Sequence, residues 1–281
     1  MILTGEAKLA GVIGWPVGHS RSPRLHGWWL RHYGIDGAYL PLAVAPEQFA
    51  HVLRTLPHLG FRGANITVPH KEAALAAVDV ADDHAKRIGA VNTVIVREDG
   101  ALEGRNSDGL GFYAHLTASA PAWTPEAGPA VIVGAGGAAR AIAVALLDAG
   151  VPELRLVNRT RERAEQLALA LGDARIKVMP WLARAAALEG ATLAVNTTTQ
   201  GMRSQPALDL DLMPLPVGAA VFDCVYAPLD TPLLKAARAR GLTAIDGLGM
   251  LIHQARPGFA AWFGREPEIT PELRAFLAEG L

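Results

Sequence analysis

The chain has 281 residues, of which 51% are hydrophobic and 19% are charged, and its net charge is −1 at pH 7. This length supports one large or two ordinary domains with a sizeable buried core, while the balanced charge gives no reason to expect nucleic acid, which usually requires a basic face. The single cysteine, Cys224, excludes an intrachain disulfide and a cysteine-based metal cluster.

No segment has the pattern of a membrane span or of a secretory leader. The N-terminus carries Glu6 and no basic leader, so we expect no signal peptide. The longest apolar stretch, 138–147, contains Arg140 and is too short to cross a bilayer. Together with the single cysteine, these features favour a soluble protein of the reducing cytoplasm.

Strand-like and helix-like segments alternate in the first hundred residues. The pattern predicts strands at 9–14, 38–44 and 63–68, and helices through Trp28 and Trp29 and at 46–56. Pro41 makes the second strand an edge strand, because proline cannot donate to a neighbouring strand. Residues 90–109 are typical of a hairpin, with Asp99 and Gly100 as its turn.

After residue 108 the pattern changes to a regular βαβ series. A helix at 109–119 and a loop at 120–130 with three prolines come first. The series then predicts strands at 130–134, 154–158, 175–179, 192–197, 219–226 and 242–246, and helices at 138–149, 161–171 and 231–241. Such alternation favours a parallel sheet covered on both faces. Two further helices are predicted at 250–264 and 270–280.

A glycine-rich turn of the G-x-G-x-x-A form follows the strand at 130–134. Its residues are Gly134, Ala135, Gly136, Gly137, Ala138 and Ala139. Gly134 permits the tight turn, Gly136 lets backbone amides approach a pyrophosphate, and Ala139 permits close helix packing. The preceding strand and following helix are the context that a dinucleotide-binding turn needs. A tight turn without a ligand is the alternative interpretation.

The end of the next strand distinguishes NAD from NADP. An NAD site usually has a carboxylate there, which binds the ribose 2′-hydroxyl. This chain has Asn158, Arg159 and Thr160 instead, and both Arg159 and Arg163 can bind a 2′-phosphate. We therefore predict NADP(H). An exposed basic helix start is the alternative, although positive charge is unfavourable at a helix N-terminus.

Four short segments before residue 109 are rich in neutral hydrogen-bonding groups. They are GHSRSP with Ser20 and Ser22, NITVPHK with Asn65, Thr67 and Lys71, GAVNT with Asn92, and NSDG with Asn106 and Asp108. Most lie where a strand gives way to a loop, which is where open α/β sheets bind ligands. Such groups suit a small polyhydroxylated acid, although each segment alone can be only a cap or a turn.

Eight motifs identify the chain as similar to a known family. In order they are GWPVGHSRSPRLH, GANITVPHKEAAL, GAVNTV, GRNSDGLGF, VGAGGAARAI, VNRTRERAE, VNTTTQGM and DGLGMLIHQA. With them the chain resembles the shikimate dehydrogenases over 11–264. The resemblance implies a two-domain α/β fold with the active-site cleft between the domains. An N-terminal α/β substrate domain would span 1–107, completed by C-terminal helices in 247–281, and a Rossmann-type NADP-binding domain would span 108–246.

The resemblance also implies a reaction and a set of site residues. The reaction is the reversible NADPH-dependent reduction of 3-dehydroshikimate to shikimate, on the route to chorismate and the aromatic amino acids. The implied substrate residues are Ser20 and Ser22 at the carboxylate with Tyr226 nearby, and Asn65, Lys71, Asn92, Asp108 and Gln254 at the ring hydroxyls, with Thr67 lining the same pocket. The implied cofactor residues are Gly134 to Ala138, Asn158, Arg159, Thr160, Arg163, Thr197, Thr198, Gly247 and Met250.

Reduction of a ketone by hydride leaves negative charge on the oxygen, so an acid must supply a proton. Lysine is charged at neutral pH, and we expect Lys71 to be this acid, with Asp108 orienting its ammonium group. Without the family resemblance, a solvent-exposed lysine at a helix start is the alternative for Lys71.

Other possibilities remain open at this point. A quinate or dual-substrate enzyme that uses NAD, and a non-catalytic NADP-binding sensor on the same fold, are both compatible with parts of the sequence. His19, His70 and His253 lack a metal-ligand spacing, so no metal is predicted. We expect a small-molecule substrate and no nucleic-acid or membrane partner; the protein can be a monomer or a homodimer.

Overall fold

The computed structural model describes residues 2–281 and divides the chain into two compact units. The first unit contains the chain up to Asp108 together with Leu251–Leu277, and the second contains Gly109–Met250 together with Ala278–Leu281. Each unit has its own six-stranded sheet. Within residues 2–281, every helix is too short or too polar to traverse a lipid bilayer.

The first unit has a mixed sheet with short helices. Its strands are β1 Lys8–Gly14, β2 Gly37–Ala43, β3 Phe61–Ile66, β4 Val80–Ala81, β5 Thr93–Val96 and β6 Leu102–Arg105. Its helices are α1 Ser22–His32, α2 Phe49–Thr55, α3 Lys71–Ala77 and α4 Asp83–Ile88. The strand order is β2-β1-β3-β5-β6-β4, with β1 parallel to β2 and β3 and with β5 antiparallel to its neighbours.

Most predicted elements of this unit are confirmed. Pro41 lies in β2, which is an edge strand, and β5 pairs with β6 around a turn in which Gly100 has a φ of +83°. The third strand begins and ends two residues earlier than predicted, because the chain turns between Thr67 and His70. Helix α3 accordingly begins at Lys71, two residues after Pro69.

The second unit has a fully parallel sheet. Its strands are β7 Ala130–Val133, β8 Leu154–Val157, β9 Ile176–Met179, β10 Leu193–Asn196, β11 Ala220–Asp223 and β12 Thr243–Ile245. The helices that accompany them are α5 Asp108–Ser119, α6 Gly137–Ala149, α7 Arg161–Leu171 and α8 Pro232–Ala239.

The strand order in this sheet is β12-β11-β10-β7-β8-β9, and all neighbours are parallel. Counted from β7, it is the 3-2-1-4-5-6 order of Rossmann-type dinucleotide-binding folds. The order reverses between β7 and β10, and such a switch point is where these folds bind ligands. The predicted parallel sheet is thereby confirmed.

Two helices end the chain, α9 Gly247–Phe263 and α10 Pro271–Ala278. From Leu251 onward α9 belongs to the first unit, where the indole of Trp262 donates a hydrogen bond to Val94 O at 3.0 Å. This contact requires glycine at position 63, since a Cβ there would lie 2.3 Å from Trp262 Nε1. The C-terminal segment thus completes the core around the first sheet.

Candidate active site

Lys71 and Asp108 form an ion pair in the first unit. Lys71 is the first residue of α3 and Asp108 the first residue of α5, 37 positions later in the chain. Lys71 Nζ donates a charge-assisted hydrogen bond to Asp108 Oδ2, and the two side chains are only 17% and 6% exposed. The fold therefore brings the predicted proton donor and its predicted partner into direct contact, away from bulk solvent.

The turn before Lys71 is fixed by its neighbour His70. The His70 ring stacks on Phe49, with ring centroids 4.4 Å apart, and its Nε2 lies 2.8 Å from Val44 O. Because a carbonyl oxygen only accepts hydrogen bonds, Nε2 carries the hydrogen. His70 is thus a buried packing residue. No group of three or more His, Cys, Asp or Glu side chains that could hold a metal comes together within residues 2–281.

Asn92 connects the ion pair to the rest of the unit. Its Nδ2 lies 2.8 Å from Asp108 Oδ1 and 3.1 Å from Gln254 Oε1, while its Oδ1 accepts hydrogen bonds from Ser107 N at 2.9 Å and Thr93 Oγ1 at 2.8 Å. A carboxylate only accepts and a backbone N–H only donates, so these contacts fix the orientation of the amide. Both oxygens of Asp108 are therefore occupied by donors from its own chain.

The network continues from Thr93 to Ser22. Asn65 Nδ2 donates to Thr93 Oγ1 at 3.2 Å, and Asn65 Oδ1 accepts from the hydroxyl of Tyr39 at 2.6 Å. Burial raises the pKa of Tyr39 well above its ordinary value, and a hydrogen bond with Ser22 partly opposes this rise. Tyr39 therefore stays protonated and donates at neutral pH. A continuous series of hydrogen bonds thus connects Ser22 with Lys71.

Other predicted residues of this unit lie at the edges of the network. Ser20 Oγ accepts a hydrogen bond from Ser22 N at 3.3 Å. Thr67 is half-buried where β3 gives way to the turn, and its hydroxyl makes no hydrogen bond within residues 2–281. Asn106 Oδ1 accepts from the backbone N–H of Asp108 at 3.0 Å, which is the side-chain contact of a turn just before α5. Tyr226 lies in the second unit, after β11.

Three members of this network are absent from the sequence-based predictions: Tyr39, Thr93 and Ser107. Thr93 and Ser107 each adjoin a predicted residue in the chain, but nothing in the residue pattern distinguishes them from ordinary strand and turn residues. Tyr39 gave one usable signal, because a tyrosine buried in a strand needs a partner for its hydroxyl group. The identity of that partner, Asn65, depends on the order of the strands.

In the second unit, the glycine-rich turn lies at the carboxyl end of β7. Gly134 has a φ of +119°, and a Cβ there would lie 2.2 Å from Thr197 Oγ1, so the fold itself demands glycine. Gly136 has an extended backbone, and a Cβ there would meet nothing within 4 Å. Gly136 also caps the N-terminus of α6 without a side-chain hydrogen bond. The space above Gly136, at the N-terminus of α6, is thus available to a ligand.

The turn after β10 lies beside the glycine-rich turn in the same unit. Thr197 Oγ1 donates to Val133 O at 2.9 Å, which joins the ends of β10 and β7. Thr198 Oγ1 donates to Asn196 Oδ1 at 2.8 Å. The two predicted threonines therefore lie at the switch point of the sheet.

The four predicted residues that follow β8 form a basic surface. Arg159 and Arg163 are exposed, and within residues 2–281 neither side chain makes an ion pair. Arg161, in the same segment, instead donates to Glu165 Oε1 at 2.7 Å. Asn158 Nδ2 donates to Thr160 O at 2.6 Å and so fixes the local backbone. Two of the three arginines remain available to an anion.

Gly247 and Met250 begin α9 at the end of the second unit. A Cβ at Gly247 would lie 2.2 Å from Cys224 O, so packing requires glycine at this position. Met250 is 8% exposed and belongs to the hydrophobic core of the unit, with its Sδ 3.9 Å from Cys224 Sγ. Both residues therefore have a clear packing role, whatever else they contact.

Comparison with known proteins identifies the family. Residues 12–94 match the shikimate dehydrogenase substrate binding domain, and residues 124–201 match the shikimate / quinate 5-dehydrogenase family. A curated relative from Paramagnetospirillum magneticum, named shikimate dehydrogenase (NADP(+)), is 60% identical over 98% of this chain and 99% of its own. The chain belongs to the shikimate dehydrogenase family.

Solved structures similar to this member of the shikimate dehydrogenase family include two with bound ligands. Shikimate 5-dehydrogenase from Thermus thermophilus, in complex with NADP(H) and shikimate, has a TM-score of 0.85 and 38% identity over 98% of this chain and 100% of that one. Quinate dehydrogenase from Corynebacterium glutamicum, in complex with NAD, has a TM-score of 0.88 and 32% identity over 96% of this chain and 98% of that one. The fold is thus shared by enzymes with different substrates and cofactors.

Proposed function

We propose that the protein catalyses the reversible NADPH-dependent reduction of 3-dehydroshikimate to shikimate, with Lys71 as the proton donor and Asp108 as its orienting partner. The observation that carries this proposal is the shielded Lys71–Asp108 ion pair, which is part of a network of neutral hydrogen-bonding groups. Membership of the shikimate dehydrogenase family supports the same reaction.

Lys71 performs the acid–base step. When bound, NADPH supplies a hydride to the ketone carbon. Lys71 gives a proton to the carbonyl oxygen as the C=O bond becomes an alcohol, and in the reverse direction its neutral amine takes the alcohol proton. An ammonium group has three N–H donors, and the bond to Asp108 occupies one of them. Asp108 thus restricts the direction of the remaining two without blocking them.

The other substrate residues supply recognition. Ser20 and Ser22 bind the carboxylate of the substrate at the start of α1, whose first turn contains no acidic residue. A helix N-terminus of this kind favours an anion. Asn65, Asn92 and Gln254 bind the ring hydroxyls, and Thr67 and Tyr226 complete the set. Because Asn92 already uses its donors within the chain, binding exchanges existing hydrogen bonds for bonds to substrate.

The cofactor is NADP(H). Gly136 leaves room for a pyrophosphate at the N-terminus of α6, and no carboxylate occupies the end of β8, where an NAD site needs one. The exposed Arg159 and Arg163 bind the 2′-phosphate by charge-assisted hydrogen bonds. The remaining contacts come from Gly134, Ala135, Gly137, Ala138, Asn158, Thr160, Thr197, Thr198, Gly247 and Met250.

The proposal is tested by kcat/KM for shikimate and quinate, each with NADP⁺ and with NAD⁺, followed by the absorbance of the reduced cofactor. We expect shikimate with NADP⁺ to be the best pair. A preference for quinate with NAD⁺ would contradict the proposal. The protein would then be a quinate dehydrogenase, like its structural neighbour from Corynebacterium glutamicum. A folded preparation that binds NADP⁺ but turns over neither substrate would instead support a sensor.

The cellular setting follows from the same proposal. A chain with one cysteine and a freely diffusing cofactor suits a reducing compartment, so we infer a cytoplasmic location. We expect a monomer or a homodimer, which size-exclusion chromatography with light scattering distinguishes directly.

A further inference from the structure

Asp223, the last residue of β11, is a buried carboxylate that the proposed reaction does not use. It is 0% exposed, and burial raises the pKa of its carboxyl group while hydrogen bonds from three donors oppose this rise. Asn196 Nδ2 and Val225 N donate to Oδ1 at 2.9 and 3.0 Å, and Thr231 Oγ1 donates to Oδ2 at 2.7 Å. A carboxylate offers only acceptors, so all three donors are matched to it.

The first donor connects Asp223 to the turn that carries Thr197 and Thr198. Asn196 uses its amide hydrogens on Asp223 Oδ1 and on Gln200 O, and its oxygen accepts from both the backbone and the hydroxyl of Thr198. The amide of Asn196 thereby holds both ends of the turn. The carboxylate of Asp223 accepts one of the two amide hydrogens of Asn196, so it supplies one of the four hydrogen bonds that hold this amide in place.

The second and third donors connect Asp223 to the segment that carries Tyr226. Val225 N is the backbone group immediately before this tyrosine, and Thr231 caps α8 by accepting from Leu234 N at 3.2 Å. A backbone hydrogen bond from Arg203 N to Ala227 O at 3.2 Å also joins this segment to the chain that follows the threonine turn. One buried carboxylate therefore fixes both segments.

We propose that Asp223 is a positioning residue that holds the turn carrying Thr197 and Thr198 and the segment carrying Tyr226 in one arrangement, so that a change at Asp223 weakens cofactor and substrate binding together. This inference rests on the proposed roles of these three residues. Asp223 itself touches neither ligand. It acts through Asn196, Val225 and Thr231, all of which belong to the second unit.

The test compares Asp223→Asn with wild type in NADPH affinity, measured by cofactor fluorescence, and in the KM for shikimate. Asparagine keeps the size of the side chain but presents an N–H group to a site where three donors already point. Losing a buried bond to a charged group is expected to raise the Kd for NADPH about tenfold and the KM for shikimate by a similar factor. Asp230→Asn is the matched control, because Asp230 is exposed and pairs with Lys235 and Arg238 at the surface.

A pair of substitutions at Thr231 keeps the proposal testable if Asp223→Asn does not fold. Thr231→Ser retains the hydroxyl group and should bind NADPH like wild type, whereas Thr231→Val removes it and should weaken binding several-fold. A lower melting temperature with unchanged NADPH Kd and shikimate KM would overturn the proposal, since it would show a purely structural role. Wild-type protein that binds NADPH without turnover would overturn the proposed function alone, because the NADPH comparison needs no turnover.

Discussion

In the first unit the candidate catalytic and substrate-binding side chains bond to one another, whereas in the second the candidate 2′-phosphate contacts are exposed and unpaired. Lys71 and Asn92 each donate a hydrogen bond to the carboxylate of Asp108, and the Lys71–Asp108 pair is largely shielded from solvent. Arg159 and Arg163 make no ion pair within residues 2–281, and the space above Gly136 is open.

The two units differ in when the side chains of their candidate sites lose conformational freedom. The substrate-side groups are already immobilised by folding, so substrate binding orders little beyond the substrate itself. The arginines lose side-chain freedom only when an anion binds. Changes in the first unit should therefore affect the chemical step and the stability, while changes in the second should affect cofactor affinity and choice.

The largest expected effect is that of Lys71→Met. Removing the proton donor should lower kcat for shikimate oxidation by about 10²- to 10⁴-fold, the usual contribution of general acid–base catalysis. Lys86→Met is the control, because Lys86 is exposed and, within residues 2–281, forms its ion pair with Asp83 on the surface of α4. Circular dichroism must show that the variant is folded, since Asp108 loses its buried partner. A loss of kcat below about tenfold in folded protein would exclude Lys71 as the proton donor.

The next effect is on stability and involves His26, whose ring stacks on Tyr39 with centroids 3.9 Å apart. Burial lowers the pKa of His26 from 6.5 to about 3, and within residues 2–281 neither ring nitrogen has a hydrogen-bond partner. Between pH 6.5 and 3, His26 binds a proton in the unfolded chain but stays neutral in the folded chain. The contribution of His26 to the free energy of unfolding should therefore fall by about 1.4 kcal/mol per pH unit as the pH drops from 6.5 towards 3.

Urea unfolding at several pH values checks this contribution. His26→Phe keeps an aromatic ring but cannot titrate, so its free energy of unfolding should fall less steeply below pH 6.5 than that of wild type. His51→Phe, at an exposed position of α2, should keep the wild-type slope. Parallel profiles for wild type and His26→Phe would contradict the assignment of a neutral buried His26.

The third expected effect distinguishes Gly136, which is proposed to make room for the cofactor, from Gly134, which the fold requires. Gly136→Ala adds a methyl group where the protein leaves space, so the melting temperature should stay near that of wild type. The Kd for NADPH should rise about tenfold to a hundredfold if one or two phosphate hydrogen bonds are lost. Gly134→Ala should instead destabilise the fold, because its Cβ would collide with Thr197. If Gly136→Ala binds NADPH as tightly as wild type, the glycine-rich turn does not contact the cofactor, and this part of the account is wrong.

The smallest expected effect concerns the choice of cofactor. Arg159→Gln removes a charge that pairs with nothing in residues 2–281, so it should raise the KM for NADP⁺ about tenfold and leave the KM for NAD⁺ unchanged. Arg161→Gln is the matched control on the same segment, since Arg161 pairs with Glu165. Equal effects on both cofactors would mean that Arg159 does not contact the 2′-phosphate.

Local patterns predicted much of the fold and part of the site. The βαβ alternation predicted the parallel sheet, and the residues after β8 predicted the basic surface, because both depend on neighbours in the chain. The Lys71–Asp108 contact depends on two helix starts that meet only after folding. Tyr39 was missed for the same reason, since its hydroxyl reaches Asn65 across the intervening strand β1.

The Lys71–Asp108 pair is tested most directly by a double-mutant cycle with Lys71→Met, Asp108→Asn and the double variant, measured as kcat for shikimate with NADP⁺. If Asp108 acts by orienting Lys71, the two residues form one unit, and the double variant should be within about threefold of Lys71→Met alone. If the losses of the two single variants instead multiply in the double variant, Lys71 and Asp108 act independently, and the proposed mechanism is wrong.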